Sequence, residues 1–304
     1  MYIFGKTPIT LKEQAQDKER ELKDLIRKSV PEEIINQANI MGKSNGSRGD
    51  LVELIYQQLF LIDPTADNKE KNMTQQQAYE SLVSTLLGAI GTVYFNRHID
   101  SLNTSNRKNE IDLNNGTKKG ASADIMYNQN GEIHVVELKT GNGLILEESE
   151  CKWKPSESEK EISRGSLDGI IGLPSEEERQ IHNGRAALEQ AKKLCLYRDK
   201  VKKENNQDVV VHVAYFRGCD VSTSLSQELS DLGVKKFQIP FDVEKIYDYI
   251  NNLLGYIYDT GRNIMNPVEN HRKISLPSMP PFMEENTGYG EIEVNKIESM
   301  RERF

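Results

Sequence analysis

The stretch from Ser122 to Thr140, SADIMYNQNGEIHVVELKT, constrains the fold of this chain more than any other. Two short runs rich in Ile, Val and Tyr flank Asn130-Gly131, the dipeptide that most strongly favours the tight turn of a β-hairpin. The same stretch carries three charges where a buried strand is expected to be apolar. Asp124 is on the first strand; Glu137 and Lys139 are on the second. Side chains alternate between faces along a strand, so Glu137 and Lys139 point one way and Leu138 the other. With the turn at Asn130-Gly131, Asp124 falls roughly level with Glu137 to Lys139, and the three charges converge.

Each of these charges would be costly to bury without a partner. Two facing carboxylates repel unless a cation lies between them, and hard oxygen ligands favour magnesium or manganese. Lys139 beside them can hold or polarise an attacking water and offset charge growing on a phosphate. A Glu-Leu-Lys alone is far more often a solvent-facing strand edge with a cross-strand salt bridge of small energetic weight. The surrounding pattern is what favours a site.

Residues 10–62 read as helical, in three pieces, with Pro31 placed at a helix start. The loop GKSNGSRGD lacks the GxxxxGK[ST] order of a phosphate loop and follows a helix instead of a strand, so that role is set aside. A further helix is expected from Thr74, with Gln77 completing a capping box and Tyr79, Leu82, Val83, Leu86, Leu87 and Ile90 at helical spacing. After Gly91 the pattern turns strand-like in TVYFNR and then polar and turn-rich as far as Gly120. Beyond the hairpin, residues 141–184 read as an inserted loop or lid, with Trp153 as its packing anchor or, as the lesser alternative, a base-stacking residue. GRAALEQAKKLCLYRDKVKK is a helix, DVVVHVAYF a buried strand, and FDVEKIYDYINNLLGYIYD another amphipathic helix. The expected organisation is a helical region at 1–72, an α/β core at 73–266 and an extended tail at 267–304: a central mixed β-sheet flanked by helices.

A helix, then a hairpin with Asp and Glu-x-Lys, then a helix and a strand is an order that resembles the PD-(D/E)XK nuclease superfamily, over residues 74–220. The residue before Asp124 is Ala123 where the family motif has Pro, a variation common in that superfamily. The resemblance implies a restriction-endonuclease-like core and an acidic residue on the first core helix. Glu80 fits that position best, with Glu53 in SRGDLVEL as competitor. In some exonuclease branches a Gln and a Tyr follow on the next helix; Gln190 and Tyr197 are on that helix here, with Lys193 one turn beyond Gln190. The expectation carried forward is metal-assisted hydrolysis of a DNA phosphodiester. Asp124, Glu137 and Glu80 would attend Mg2+, with Mn2+ as a substitute, Lys139 would assist the water, and Gln190 would be an ancillary catalytic residue. The resemblance further implies a restriction-type or defence endonuclease working as a homodimer. The alternatives are a repair or recombination exonuclease and a catalytically inactive nucleic-acid-binding subunit of the same fold.

The formal charge of −8 does not exclude a nucleic-acid partner. Such an enzyme concentrates carboxylates at its centre and needs positive charge only along the groove. Residues 185–203 hold seven Lys or Arg against two acids, a surface suited to phosphate, and the insert 141–184 is expected to gate or contact the substrate. Three cysteines, Cys151, Cys195 and Cys219, are widely spaced with no CxxC pair, which points to reduced thiols in place of a disulfide or zinc framework. The five histidines show no ligand spacing, and His134 is read as structural. With neither a leader pattern nor an apolar run of membrane-spanning length, a cytoplasmic protein is expected.

Overall fold

A computed structural model describes residues 11–44, 50–61, 75–114, 116–117, 120–150, 176–265 and 275–279. These divide into two compact units: one takes residues up to Leu86 together with Tyr247 onward, the other Leu87–Ile246.

The first unit is helical. Helices α1 (Leu11–Ser29), α2 (Glu32–Ser44) and α3 (Leu51–Tyr56) follow one another, the last running on into a single π turn, Gln57–Leu61. Pro31 precedes α2 and gives its carbonyl to the amides of Ile34 and Ile35, as the fixed φ of proline favours at a helix start. Asp50 caps α3 by accepting from the Val52 amide. Leu22, Ile26, Ile34, Leu51 and Ile55 are buried at helical spacing, which is what holds short helices in place.

The second unit holds a five-stranded sheet in the order β1-β2-β3-β5-β7. β1 (Thr104–Leu113), β2 (Ala121–Gln129) and β3 (Glu132–Lys139) form an antiparallel meander, and β5 (Val209–Arg217) and β7 (Lys235–Asp242) add parallel to β3. The sheet is therefore mixed, with helices at its faces, as expected. Asn130 and Gly131 both have positive φ, 51° and 84°, the backbone of a type I′ turn that matches the twist of the strands it joins. The parallel connections run through α5 (Glu176–Asn205), from β3 to β5, and α6 (Thr223–Asp231), from β5 to β7. A small parallel pair, β4 (Gly143–Leu144) and β6 (Asp220–Val221), lies beside them.

Two helices, α4 (Gln75–Asp100) and α7 (Val243–Met265), have residues in both units. Here the strand-like reading of TVYFNR is corrected: α4 continues through it to Asp100. Val93, Tyr94 and Phe95 are buried, Tyr94 stacked on Phe241 at 4.0 Å and Phe95 edge-on to Phe237 at 5.2 Å. Their bulk serves packing of a helix on a sheet, and intrinsic strand preference gives way to it. Gly91 does not break the helix: a Cβ there would meet Thr140, Leu138 and Phe216 at 3.0–3.1 Å, so glycine lets the helix come close to the sheet. The polar stretch that follows is also corrected, since it forms β1, the edge strand, mostly exposed or half-buried. Edge strands tolerate such polarity because only one side is paired.

The insert is shorter than the sequence suggested. β4 and a 3-10 turn at Glu148–Glu150 occupy its start, and α5 begins at Glu176. Its middle, with Cys151 and Trp153, lies outside the described residues, as does most of the 267–304 tail. Among the described residues no helix is long and apolar enough to cross a membrane.

Candidate metal centre

The hairpin register builds the centre. Ile125 pairs with Val136, and the next step along an antiparallel ladder sets Asp124 level with Glu137 on the same face. At that step the backbones stop pairing. The Leu138 amide donates instead to Asp124 Oδ2 at 2.5 Å, so the carboxylate itself takes the place of a main-chain acceptor and is fixed between the strands. Leu138 lies under α4 on one face. Val135, Val213 and Tyr215 pack with Leu188, Ala191, Leu194 and Cys195 of α5 on the other, and strand alternation assigns Asp124, Glu137 and Lys139 to the α5 side.

Glu137 is 7% exposed, and Lys139 Nζ meets its Oε1 at 2.6 Å. Even with this cation in contact, its carboxyl is pushed up to about 7. Burial is the main cause, and the charges of Asp124 and, more weakly, Glu110 add to it, while Lys139 opposes. Asp124 is likewise raised by burial, against the Leu138 hydrogen bond and the Lys139 charge that lower it. Two carboxyls each raised by desolvation, with Asp124 raising Glu137 further, mark a place where negative charge is unfavourable unless a cation arrives.

Glu110 was missed by the sequence reading because its segment looked like turn. β1 pairing brackets it between Asn109↔Ile125 and Ile111↔Ala123, level with Asp124. Its φ of 51° is unusual for a non-glycine residue in a strand. The only signal for it was the alternation in Asn109-Glu110-Ile111-Asp112-Leu113.

The other expected residues fall as follows. Gln190 on α5 donates its amide to the Ser122 carbonyl at 2.5 Å and reaches Ser122 Oγ at 3.2 Å. It thus braces β2 two residues before Asp124. Tyr197 and Lys193 are half-buried on the same helix. Glu80 is on α4, but its side chain lies outside the described residues. Glu53 is engaged within the helical unit, at 2.7 Å from Lys23 Nζ and accepting from Gln57 at 2.8 Å. His134 faces away from Glu137, its Nδ1 at 2.9 Å from His212 Nε2 in a buried pair stacked beside Tyr127. Burial, then the charges of His134 and Lys235, lowers His212 to about 3. Cys195 and Cys219 are free, buried thiols.

Among the described residues no group of three or more His, Cys, Asp or Glu side chains is arranged to hold a metal ion. A magnesium ion does not require three: it keeps several waters and takes one or two carboxylates. Asp124 and Glu137 supply an all-oxygen set of that kind.

Comparison of the chain with protein-family models, curated proteins and solved structures finds no match.

Proposed function

We propose that this protein is a magnesium-dependent endodeoxyribonuclease of the PD-(D/E)XK kind, with a restriction-endonuclease-like core and a restriction or defence role. The observation that carries the reading is the level, same-face pair of half-buried Asp124 and buried Glu137, with Lys139 in contact with Glu137. A surface salt bridge would leave its carboxyl at or below the ordinary range; here Glu137 rises to about 7.

In this reading Asp124 and Glu137 hold the ion, which supplies Lewis acidity toward the phosphodiester and a water of lowered pKa. Binding requires Glu137 to give up its proton and Lys139 Nζ to loosen its contact with Oε1. The freed ammonium then holds the attacking water and offsets charge growing on the phosphoryl oxygens. Gln190 keeps Ser122, and with it Asp124, in position. Arg185, Lys192, Lys193, Lys200 and Lys203 on α5 have no acidic partner among the described residues, which leaves them available to the DNA backbone. Two such centres, one per protomer of a homodimer, would cut both strands.

The Gln190–Ser122 contact favours a second reading, a repair or recombination exonuclease. One experiment treats both: incubation with circular and linear DNA, with and without magnesium. Cutting of the circle supports the endonuclease, cutting of the linear form alone supports the exonuclease, and intact DNA in every tube refutes both.

A further inference from the structure

The parallel pairing of β3 with β5 sets Tyr215 level with Lys139, and residues paired this way share a face. Tyr215 thus flanks the charged centre on the strand next to Lys139, near the carboxyl ends of both. Its ring is held: the residue is 7% exposed and packs in the cluster formed with α5. Its hydroxyl has no hydrogen-bond partner among the described residues. Buried tyrosines ordinarily find one. Burial raises the phenol, with the nearby Cys219 adding to it, so the group stays protonated and can only be put to use as a neutral donor at working pH.

We propose that Tyr215 is a further catalytic residue of this centre, its hydroxyl donating a hydrogen bond to a non-bridging oxygen of the scissile phosphodiester. This rests on the nuclease reading above. Lys139 and the carboxylates bring charge to the reacting group, whereas Tyr215 brings a rigid neutral donor from the adjacent strand. A donor held in place before the reaction needs no reorganisation as charge develops on the oxygen it faces.

Tyr215→Phe removes one oxygen and keeps the ring, so the packing against α5 is untouched. Wild type and Tyr215→Phe are compared on circular plasmid DNA at saturating magnesium, with the melting temperature and magnesium affinity of each measured alongside. The expected result is a fall in kcat of at least about tenfold, with unchanged melting temperature and unchanged magnesium affinity. Equal kcat overturns the assignment of Tyr215 and leaves the nuclease reading standing. A fall accompanied by a lower melting temperature makes the hydroxyl structural and also overturns the assignment. A wild-type protein that leaves the plasmid intact overturns the endonuclease reading and this inference with it.

Discussion

Two Glu–Lys pairs of nearly equal length occur in the two units of this molecule and behave oppositely. Glu53 meets Lys23 at 2.7 Å in the helical unit, and Glu137 meets Lys139 at 2.6 Å in the sheet unit. Glu53 is held below its usual range, chiefly by the hydrogen bond from Lys23. Glu137 is driven up to about 7, chiefly by burial. The difference is in the surroundings: the Glu53 side chain is 36% exposed, that of Glu137 10%, and only Glu137 has a second carboxylate level with it. Contact distance therefore says little about what an ion pair is for. A pair whose acid is lowered is a fold contact, whereas a pair whose acid stays raised despite its cation is poised for another ligand.

The largest effect that would break this contrast belongs to Asp124. Replacement by Ala removes the proposed ion ligand and the acceptor for the Leu138 amide, so productive magnesium binding should be lost and added magnesium or manganese should restore little cleavage. Calorimetric titration with magnesium checks this; wild-type-like binding by the variant would remove Asp124 from the centre.

Glu137→Gln and Glu53→Gln should shift metal-free stability in opposite directions. The free carboxyl of Glu137 ionises near 4.5 and the folded one near 7, so the folded state binds more protons between those values and loses stability as pH rises through them. At pH 8 the buried charge is fully unfavourable, and Glu137→Gln should stabilise by on the order of 1–3 kcal/mol while cleavage disappears. Glu53→Gln should destabilise by less than about 1 kcal/mol and leave cleavage unchanged. Urea melts of both variants test the signs, and the same sign for both would dissolve the contrast.

His212 gives an effect seen only on acidification, and it runs the other way with pH. Its folded value near 3 lies below the ordinary 6.5, so the unfolded chain binds the extra proton. The associated stability is complete above about 6.5 and is lost toward pH 3, at up to about 1.4 kcal/mol per pH unit. Urea midpoints at pH 7.5, 5.5 and 4.5 should fall more steeply for wild type than for His212→Phe. Parallel slopes would mean that the buried histidine pair does not titrate this way.

Local chemistry was legible in the sequence and tertiary context was not. Asn130-Gly131 announced its turn because both residues tolerate positive φ, and period-two alternation put Glu137 and Lys139 on one face. Val93, Tyr94 and Phe95 misled because β-branched and aromatic residues suit a strand as well as the buried side of a helix, and only the sheet beneath α4 decides between them. β1 was nearly invisible since an edge strand whose polar residues face solvent displays little apolar alternation, here only that of Ile111 and Leu113 at its end. Glu110 and Tyr215 escaped for the same reason: each is brought to the centre by pairing with another strand, across a separation along the chain that no local pattern spans.

The central claim, that Lys139 is poised to act and not merely paired, is tested most directly by the cleavage rate of Lys139→Ala on circular DNA at saturating magnesium. The expected result is a fall of about 100-fold to 1,000-fold, roughly 3 to 4 kcal/mol of transition-state stabilisation, with magnesium and DNA binding largely intact and circular dichroism unchanged. Cleavage by Lys139→Ala at the wild-type rate would contradict it.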